Sequence, residues 1–381
     1  MAILKKDNQL KKNIQKKIAF FSYSRTIGSG PTILSVMKAL NKKGYSVDFY
    51  ITNQKQDLDI PGENKIYSNG RGSFSILFFT LLFKYLILSF FRLLKRKYNL
   101  FISFDFQTIF VVYLFSKIFN VTFIYINLEL LVSKDIKSIR ERIQKYLERI
   151  ASRKAKLVAS QDIARLNILL SDNKIETNKG VILPNSFKFD SIVNTGYFKK
   201  KYLIPQNTTI IISAGSISQT TLSWDIANAS LSWPKNWYLI FHGWGDDKVI
   251  KNIISLKSPN IIISRDFVPY SKLGEILSSA DIGLAFYNNL SSNIYNIGSS
   301  GKLSDYLQCN LPIIAIDFLT FKEIVEKNKC GICVSNPKMI KPAVLNILES
   351  ITDYKANCQH TFNKFFDFEN NFKNIYNKLK L

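Results

Sequence analysis

Short apolar runs alternate with helix-like segments along this chain, and this alternation restricts the possible fold more than any other feature. Near the start, residues 18–21 read as a buried strand, followed by a polar loop, a helix at residues 32–43 and a second strand at residues 46–52. Strand, loop, helix and strand in this order form the βαβ unit of a parallel sheet. The sequence therefore predicts an α/β protein.

The same alternation continues through the second half of the chain, which at 381 residues is long enough for two domains. A strongly charged helix, exposed on one face, is predicted at residues 134–153. Further strands are predicted at residues 100–104, 122–126, 157–160, 180–183, 210–213, 238–241, 261–264, 282–286 and 312–316.

Several glycine and polar residues of the second half directly follow predicted strands. In open parallel sheets, ligands bind at the carboxyl ends of the strands. The sequence therefore predicts a ligand site at this edge of the second sheet. The residues that converge there are Gly215, His242, Gly243, Arg265 and the turn at residues 299–302.

Residues 300–315 predict a glycine turn, a short helix, and a proline that leads into a buried strand. The free N–H groups and the dipole at a helix start favour an anion, and Lys302 adds a positive charge there. Asp305 lies one turn later on the same face, where it can accept hydrogen bonds from a diol. This order describes the diphosphate and ribose of a nucleotide, although a capped helix with a solvated lysine and aspartate would give the same local pattern.

The run at residues 305–314 resembles the nucleotide-sugar-binding helix of GT-B glycosyltransferases, especially the family 4-like enzymes of bacterial polysaccharide assembly. In those enzymes it has the form acid-Ala-Met-Ala-x-Gly-x-Pro-Val-Ile, and here it reads Asp-Tyr-Leu-Gln-Cys-Asn-Leu-Pro-Ile-Ile. The resemblance implies that Asp305 binds the ribose. It also matches the variant with Ser-Gly-Lys before the helix, in which Lys302 would face the diphosphate.

The chain departs from the family pattern at two places. Many members carry a glutamate where this chain has Ile297, and an arginine and a lysine usually follow the strand that ends at Gly215. Neither basic residue is present here. Lys302 and Arg265 are the available substitutes for charge stabilisation, although Arg265 could equally be a surface charge.

The resemblance implies a GT-B architecture of two Rossmann-like parallel-sheet domains facing an interdomain cleft. Residues 1–187 would form the acceptor-side domain, with a helix at residues 362–381 packing back on it, and residues 188–361 would form the nucleotide-sugar domain. The implied nucleotide-sugar-binding residues are Gly215, Ser216, His242, Gly243, Ser299, Ser300, Gly301, Lys302 and Asp305.

The first half should supply the acceptor side of the reaction. Glu129 and Asp105 each follow a predicted strand, and either carboxylate could deprotonate an acceptor hydroxyl or bind sugar hydroxyls. A glutamate stabilised by a helix dipole would look the same in sequence. The predicted catalytic residues are therefore Glu129, Asp105, Lys302 and Arg265. The predicted acceptor-binding residues are Arg25, Gly28, Gly30 and Glu129.

No metal or other cofactor is expected. GT-B enzymes generally stabilise the leaving diphosphate with basic side chains and helix N-termini, and the motif at residues 57–59, Asp-Leu-Asp, lies in a first-domain loop. Cys330 and Cys333 form a Cys-x-x-Cys pair, but no second cysteine pair exists to complete a zinc site. Buried cysteines in a reduced cytosol are the favoured interpretation of the four cysteines.

The net charge of +24 favours anionic partners. No nucleic-acid motif is present, so a phosphorylated substrate or an anionic membrane surface is expected instead. Residues 74–94 are strongly apolar, but their longest uncharged stretch is too short for a bilayer, which needs about 20 residues. This segment is either an amphipathic helix at the headgroup level or a buried helix.

The sequence thus predicts a bacterial, cytoplasmic glycosyltransferase at the inner face of the plasma membrane. It would transfer a sugar from a nucleotide-diphosphate donor, with UDP favoured, to a lipid-linked or oligosaccharide acceptor in cell-surface polysaccharide synthesis such as capsule or O-antigen. Two alternatives stay open: a sugar-nucleotide 2-epimerase of the same fold, and a non-catalytic GT-B-like scaffold subunit.

Overall fold

The computed structural model describes residues 16–23, 30–51, 65–68, 78–288 and 300–379. The chain divides into two compact units. Unit 1 comprises Met1–Ile182 and Phe372–Leu381, and unit 2 comprises Leu183–Asn371.

Unit 1 is built on a seven-stranded sheet in which every strand pair is parallel. Its strands are β1 (Lys17–Ser22), β2 (Ser46–Ile51), β3 (Lys65–Ser68), β4 (Leu100–Phe104), β5 (Phe123–Asn127), β6 (Val158–Ser160) and β7 (Gly180–Ile182). The order across the sheet is β3-β2-β1-β4-β5-β6-β7. Its helices are α1 (Pro31–Lys42), α2 (Phe78–Leu93), α3 (Ile109–Phe119), α4 (Ile139–Ser152) and α5 (Ile163–Asn173).

Unit 2 repeats this plan with a six-stranded parallel sheet. Its strands are β8 (Thr209–Ala214), β9 (Trp237–His242), β10 (Ile261–Ser264), β11 (Ile282–Ala285), β12 (Ile313–Ile316) and β13 (Gly331–Val334), in the order β10-β9-β8-β11-β12-β13. The helices from this half of the chain are α6 (Tyr197–Lys201), α7 (Ser223–Ser230), α8 (Asp247–Ser255), α9 (Leu273–Leu277), α10 (Gly301–Gln308), α11 (Leu319–Phe321), α12 (Ile340–Glu349), α13 (Ile351–Phe365) and α14 (Phe368–Leu379).

The predicted α/β architecture with two parallel sheets is confirmed. The central strands are buried on both faces, which is why they read as continuous apolar runs in the sequence. The sequence missed β3 and β13, which lie at sheet edges and have four residues each. An apolar run this short gives little signal above that of a loop.

Two helices differ from their predicted bounds because aspartate and serine side chains start new helices. Residues 134–153 contain a 3-10 turn at Ser133–Asp135 and then α4, which Ser138 begins with a capping box to Glu141. The predicted tail helix at residues 362–381 is divided between α13 and α14. The Asp367 carboxylate accepts the N–H of Asn370 at 3.1 Å and so caps the second helix.

Helix α2 packs one face into the core of unit 1. Tyr85 and Leu93 are buried, and the Phe90 ring contacts those of Phe115 and Phe119, with centroids 6.5 and 5.8 Å apart. For residues 84–94 this supports the buried-helix interpretation, while residues 74–77 lie outside the described part of the chain. In that described part, no helix is both long and apolar enough to cross a membrane.

Candidate functional site

Helix α10 begins at the carboxyl edge of the unit 2 sheet, next to β11. In the described residues no side chain caps its N-terminus, and the N-cap residue Ser300 instead shares a 2.7 Å hydrogen bond with the Tyr287 hydroxyl. The Leu303 N–H donates to the Ser300 carbonyl at 3.1 Å, whereas the N–H groups of Gly301 and Lys302 have no partner among the described residues. These two stay available to a ligand, and the helix dipole favours an anion there.

The rest of α10 is anchored firmly to its own unit. The Tyr306 hydroxyl accepts the N–H of Ala214, at the end of β8, at 2.7 Å. Gly283 makes room for this ring, since a Cβ there would lie 2.5 Å from it. The Gln308 amide exchanges hydrogen bonds with the backbone of Phe187 and Phe189 at 2.9 and 3.1 Å. The first turn is thus presented by a rigid element.

Lys302, in that first turn, has an unusual environment for a charged side chain. Its Nζ atom is shielded from solvent and has no hydrogen-bond partner among the described residues, although part of the side chain is exposed. Nζ lies 5.5 Å from the centroid of the Tyr287 ring. Burial lowers the pKa of Lys302 to about 8. A cation that is shielded from water and has no counter-charge is destabilised by its burial. Binding of an anion beside it would therefore be favourable.

Gly215 borders Lys302 on the side of β8. Its φ of +96° suits glycine, and a Cβ there would lie 3.6 Å from the Lys302 Cε. Its N–H donates a hydrogen bond to the carbonyl of His242 at 2.9 Å, so the loop after β8 lies directly beside the loop after β9. Gly243 permits this close approach because a Cβ on it would lie 2.1 Å from the Gly215 oxygen. The exposed Ser216 continues the same loop.

Asp305 is buried one helical turn after Lys302. The Tyr270 hydroxyl lies 2.8 Å from both of its carboxylate oxygens, and Ser304 Oγ is 3.4 Å from one of them. Burial raises the pKa of Asp305 to about 7, although these hydrogen bonds oppose the shift. Tyr270 was missed by the sequence analysis; its place just after β10, at the same sheet edge, was the available signal.

His242 and Arg265 have other partners. The buried His242 ring lies 3.0 Å from Ser264 Oγ, which in turn donates to Asp266 at 3.1 Å, and burial lowers the pKa of His242. The exposed Arg265 pairs with Asp247 at 3.3 Å. Of the predicted nucleotide-sugar residues, the structure groups Gly215, Gly243, Ser300, Gly301, Lys302 and Asp305 along one edge.

Unit 1 brings Asp105 and Glu129 together at the carboxyl ends of β4 and β5. Asp105 has a φ of +64°, and its Oδ1 accepts the N–H groups of Leu128 and Glu129 at 2.8 and 2.9 Å. Burial, followed by the charge of Glu129, raises the pKa of Asp105 to about 7. The buried Arg165, which the sequence analysis also missed, donates to the carbonyl of Leu128 at 2.5 Å.

Some predicted residues lie outside the described part of the chain. These are Arg25, Gly28, Ser299 and Ile297, together with the Asp-Leu-Asp motif at residues 57–59. Gly30 is described and is the N-cap residue of α1, directly before Pro31. Among the described residues no cluster of histidine, cysteine and acidic side chains could hold a metal ion. Burial raises the pKa of Cys330 to about 11 and of Cys333 to about 12, so both thiols stay protonated at neutral pH.

Comparison with known proteins gives one family match and several structural matches. Residues 232–367 match the family described as Glucosyltransferase 3-like, C-terminal domain. No sequence among the curated proteins matches the chain. Sucrose-phosphate synthase from Thermosynechococcus elongatus is similar in structure, with 14% identity, a TM-score of 0.74, and coverage of 96% of this chain and 99% of that one.

Two further structures are similar over nearly the whole length. Anabaena HepE in complex with UDP and glucose has 14% identity, a TM-score of 0.71, and coverage of 96% of this chain and 99% of that one. WaaG, a glycosyltransferase involved in lipopolysaccharide biosynthesis, has 13% identity, a TM-score of 0.67, and coverage of 94% and 98%. These likenesses establish that the chain has the GT-B fold, and the predicted resemblance is confirmed.

Proposed function

We propose that this GT-B protein is a glycosyltransferase that takes a sugar from a nucleoside-diphosphate sugar. The observation that carries the proposal is the enclosed Nζ of Lys302, which has no hydrogen-bond partner in the described part of the chain, at the start of α10, which no described side chain caps. A diphosphate would supply the missing counter-charge to both the lysine and the helix N-terminus. UDP is the favoured nucleotide, since the similar HepE was obtained with UDP.

The ribose would bind at Asp305. Tyr270 contacts both carboxylate oxygens and so fixes the plane of the carboxylate. Each oxygen keeps acceptor capacity for one hydroxyl of a vicinal diol. Diphosphate at Lys302 and ribose one helical turn later place the nucleotide along α10.

Departure of the nucleotide would be assisted electrostatically. As the bond between sugar and diphosphate breaks, negative charge grows on the bridging oxygen, and Lys302 together with the first-turn N–H groups would stabilise it. Preorganised charges of this kind usually supply the largest share of catalysis. Transfer is therefore proposed to need no metal ion, so that a chelator should leave the rate unchanged.

In unit 1, Asp105 and Glu129 are proposed to bind the acceptor, and the pKa of Asp105, at about 7, suits a group that accepts a proton near neutral pH. The acceptor is proposed to be a lipid-linked or oligosaccharide glycan of a cell-surface polysaccharide. The likeness to a glycosyltransferase involved in lipopolysaccharide biosynthesis supports this class.

Calorimetry with UDP, GDP, ADP and CMP tests the donor site directly. Selective binding of UDP, followed by transfer from a UDP-sugar to an added glycan acceptor, is the expected result. Conversion of the UDP-sugar to its epimer without acceptor would make the protein an epimerase. Absence of binding by every nucleotide would contradict the proposal and favour a scaffold role.

The affinity for UDP is expected to be highest between about pH 7 and 8. Below this range Asp305, with its pKa raised to about 7, becomes protonated and accepts the ribose hydroxyls less well. Above it Lys302, with its pKa lowered to about 8, loses its charge. Calorimetric titrations with UDP across this range measure both limbs.

Asp305→Asn is the matched variant for this pH dependence. It keeps an acceptor for Tyr270 but cannot titrate. The UDP affinities of wild type and variant should therefore become equal at low pH, where Asp305 is protonated. The ionisation of UDP itself, with a pKa of about 6, affects both proteins equally. Equal UDP affinities of wild type and Asp305→Asn at every pH would show that Asp305 does not touch the nucleotide.

A further inference from the structure

Helix α4 exposes an apolar stripe on its solvent side. Ile139, Ile143 and Tyr146 are 77%, 40% and 64% exposed. Their spacing of four and three residues places them on one face of the helix. The opposite face is buried and carries Lys145 and Glu148, whose side chains form an ion pair at 2.9 Å. The helix is thus anchored by a polar network and presents apolar side chains to solvent.

The surroundings of this stripe are cationic. Lys134, Lys137 and Arg142 are exposed around the N-terminal half of α4, together with one acid, Asp135. The nearby Glu141 carboxylate is occupied in capping, since it accepts the N–H groups of Lys137 and Ser138 at 2.9 and 3.0 Å. Separate apolar side chains set among cations on a helix are the pattern of an interfacial helix, which buries its apolar face between lipid headgroups.

We propose that the α4 stripe, defined as Ile139, Ile143 and Tyr146, docks on a bilayer that carries anionic headgroups. The three side chains enter the boundary between headgroups and acyl chains, and Lys137 and Arg142 contact lipid phosphates. The inference rests on the proposed function, because it says where a lipid-linked acceptor would approach unit 1.

The position of the stripe supports this role. α4 follows β5 through residues 128–138, so its N-terminus lies at the carboxyl edge of the unit 1 sheet. Asp105 and Glu129 lie at that same edge. A bilayer on the α4 stripe would therefore hold a membrane-bound acceptor at the edge where these carboxylates lie.

A second set of exposed apolar side chains provides a matched control. Phe91, Leu94 and Ile118 are 59%, 57% and 61% exposed and lie at the C-terminal ends of α2 and α3. In a parallel α/β sheet these helix ends belong to the opposite edge from the α4 N-terminus. The control set is similar in exposure and also has lysines beside it, at Lys95 and Lys117.

Vesicle cosedimentation of the full chain tests the docking surface, using phosphatidylcholine vesicles with and without phosphatidylglycerol. Wild type should bind only the anionic vesicles. The triple variant Ile139→Ser, Ile143→Ser, Tyr146→Ser should lose about tenfold or more in partitioning. The control triple variant Phe91→Ser, Leu94→Ser, Ile118→Ser should stay within about twofold of wild type.

The electrostatic part of the proposal is tested separately. Charge reversal by Lys137→Glu and Arg142→Glu should weaken binding to anionic vesicles, and added salt should weaken vesicle binding by wild type.

Three outcomes would overturn the inference: no binding of wild type to anionic vesicles, an equal loss in the control triple variant, or self-association of wild type that the α4 triple variant abolishes. The last would assign the face to a second copy of the chain and is measured by sedimentation velocity.

UDP calorimetry on the same proteins separates the docking surface from the donor site. UDP binding without vesicle binding would refute only the docking surface, and vesicle binding without UDP binding would refute only the donor site.

Discussion

Lys302→Met is expected to weaken UDP binding by about 10- to 100-fold, which corresponds to the roughly 1.5–3 kcal/mol of a charged hydrogen bond. Methionine keeps an unbranched side chain that is one atom shorter and removes the charge together with its N–H donors. The Lys302 Nζ has no hydrogen-bond partner within the described residues, so its removal breaks no hydrogen bond there and removes only the contact with the Tyr287 ring. The ligand-free variant should therefore be at least as stable as wild type. Calorimetry measures the affinity, and thermal unfolding measures the stability.

Lys248→Met is the matched control, since Lys248 is exposed on α8 in the same unit. Its UDP affinity should equal that of wild type. Equal affinity for wild type and Lys302→Met would remove the central support for the donor site. A loss of stability in Lys302→Met comparable to its loss of affinity would instead assign the lysine a structural role.

Gly243→Ala is expected to destabilise unit 2 by roughly 3 kcal/mol or more and to abolish UDP binding. The new Cβ would lie 2.1 Å from the Gly215 oxygen, and no side-chain rotation can relieve a clash with backbone. Separating the two loops strains the hydrogen bonds from Gly215 N–H to His242 and from Ile217 N–H to Trp244, at 2.9 and 3.0 Å. Gly215 borders Lys302, so the displacement reaches the proposed donor site directly.

Tryptophan fluorescence is the appropriate readout, because all four tryptophans, Trp224, Trp233, Trp237 and Trp244, lie in unit 2. A loss of this size should lower the melting temperature by roughly 6–12 °C. Gly196→Ala is the control, since Gly196 also has a positive φ, of +66°, but its Cβ would meet nothing closer than the Lys200 Cε at 3.8 Å. The control should lose only about 1–2 kcal/mol. Equal losses in the two variants would show that the loop contact contributes nothing beyond backbone conformation.

Much of the proposed donor site could be read from the sequence because its parts are local. Gly301, Lys302 and Asp305 belong to one short helix, and helix geometry alone places the lysine and the aspartate on one face. Gly215 and Gly243 were predicted to lie beside them because each follows a strand, and the strands of a parallel sheet end at a common edge. None of this required knowledge of a specific long-range contact.

The partners of these residues could not be predicted in the same way. Tyr270 contacts Asp305 across 35 residues, and Arg165 contacts Leu128 across 37. His242 gave a misleadingly simple signal, because a histidine after a strand can face either the ligand or the core. Here its ring bonds Ser264, which only the packing of β9 against β10 brings close.

The sequence by itself determined the order of most strands and helices, their parallel arrangement and the helix start that suits an anion, since these follow from periodicity, glycine positions and the order of residues along one helix. Only the tertiary structure decided the chemistry of the site. Whether a lysine is solvated or enclosed, and whether an aspartate titrates near pH 4 or near pH 7, depends on how many atoms from distant segments exclude water from it. Burial of this kind is a property of packing between segments, which no local pattern of residues specifies.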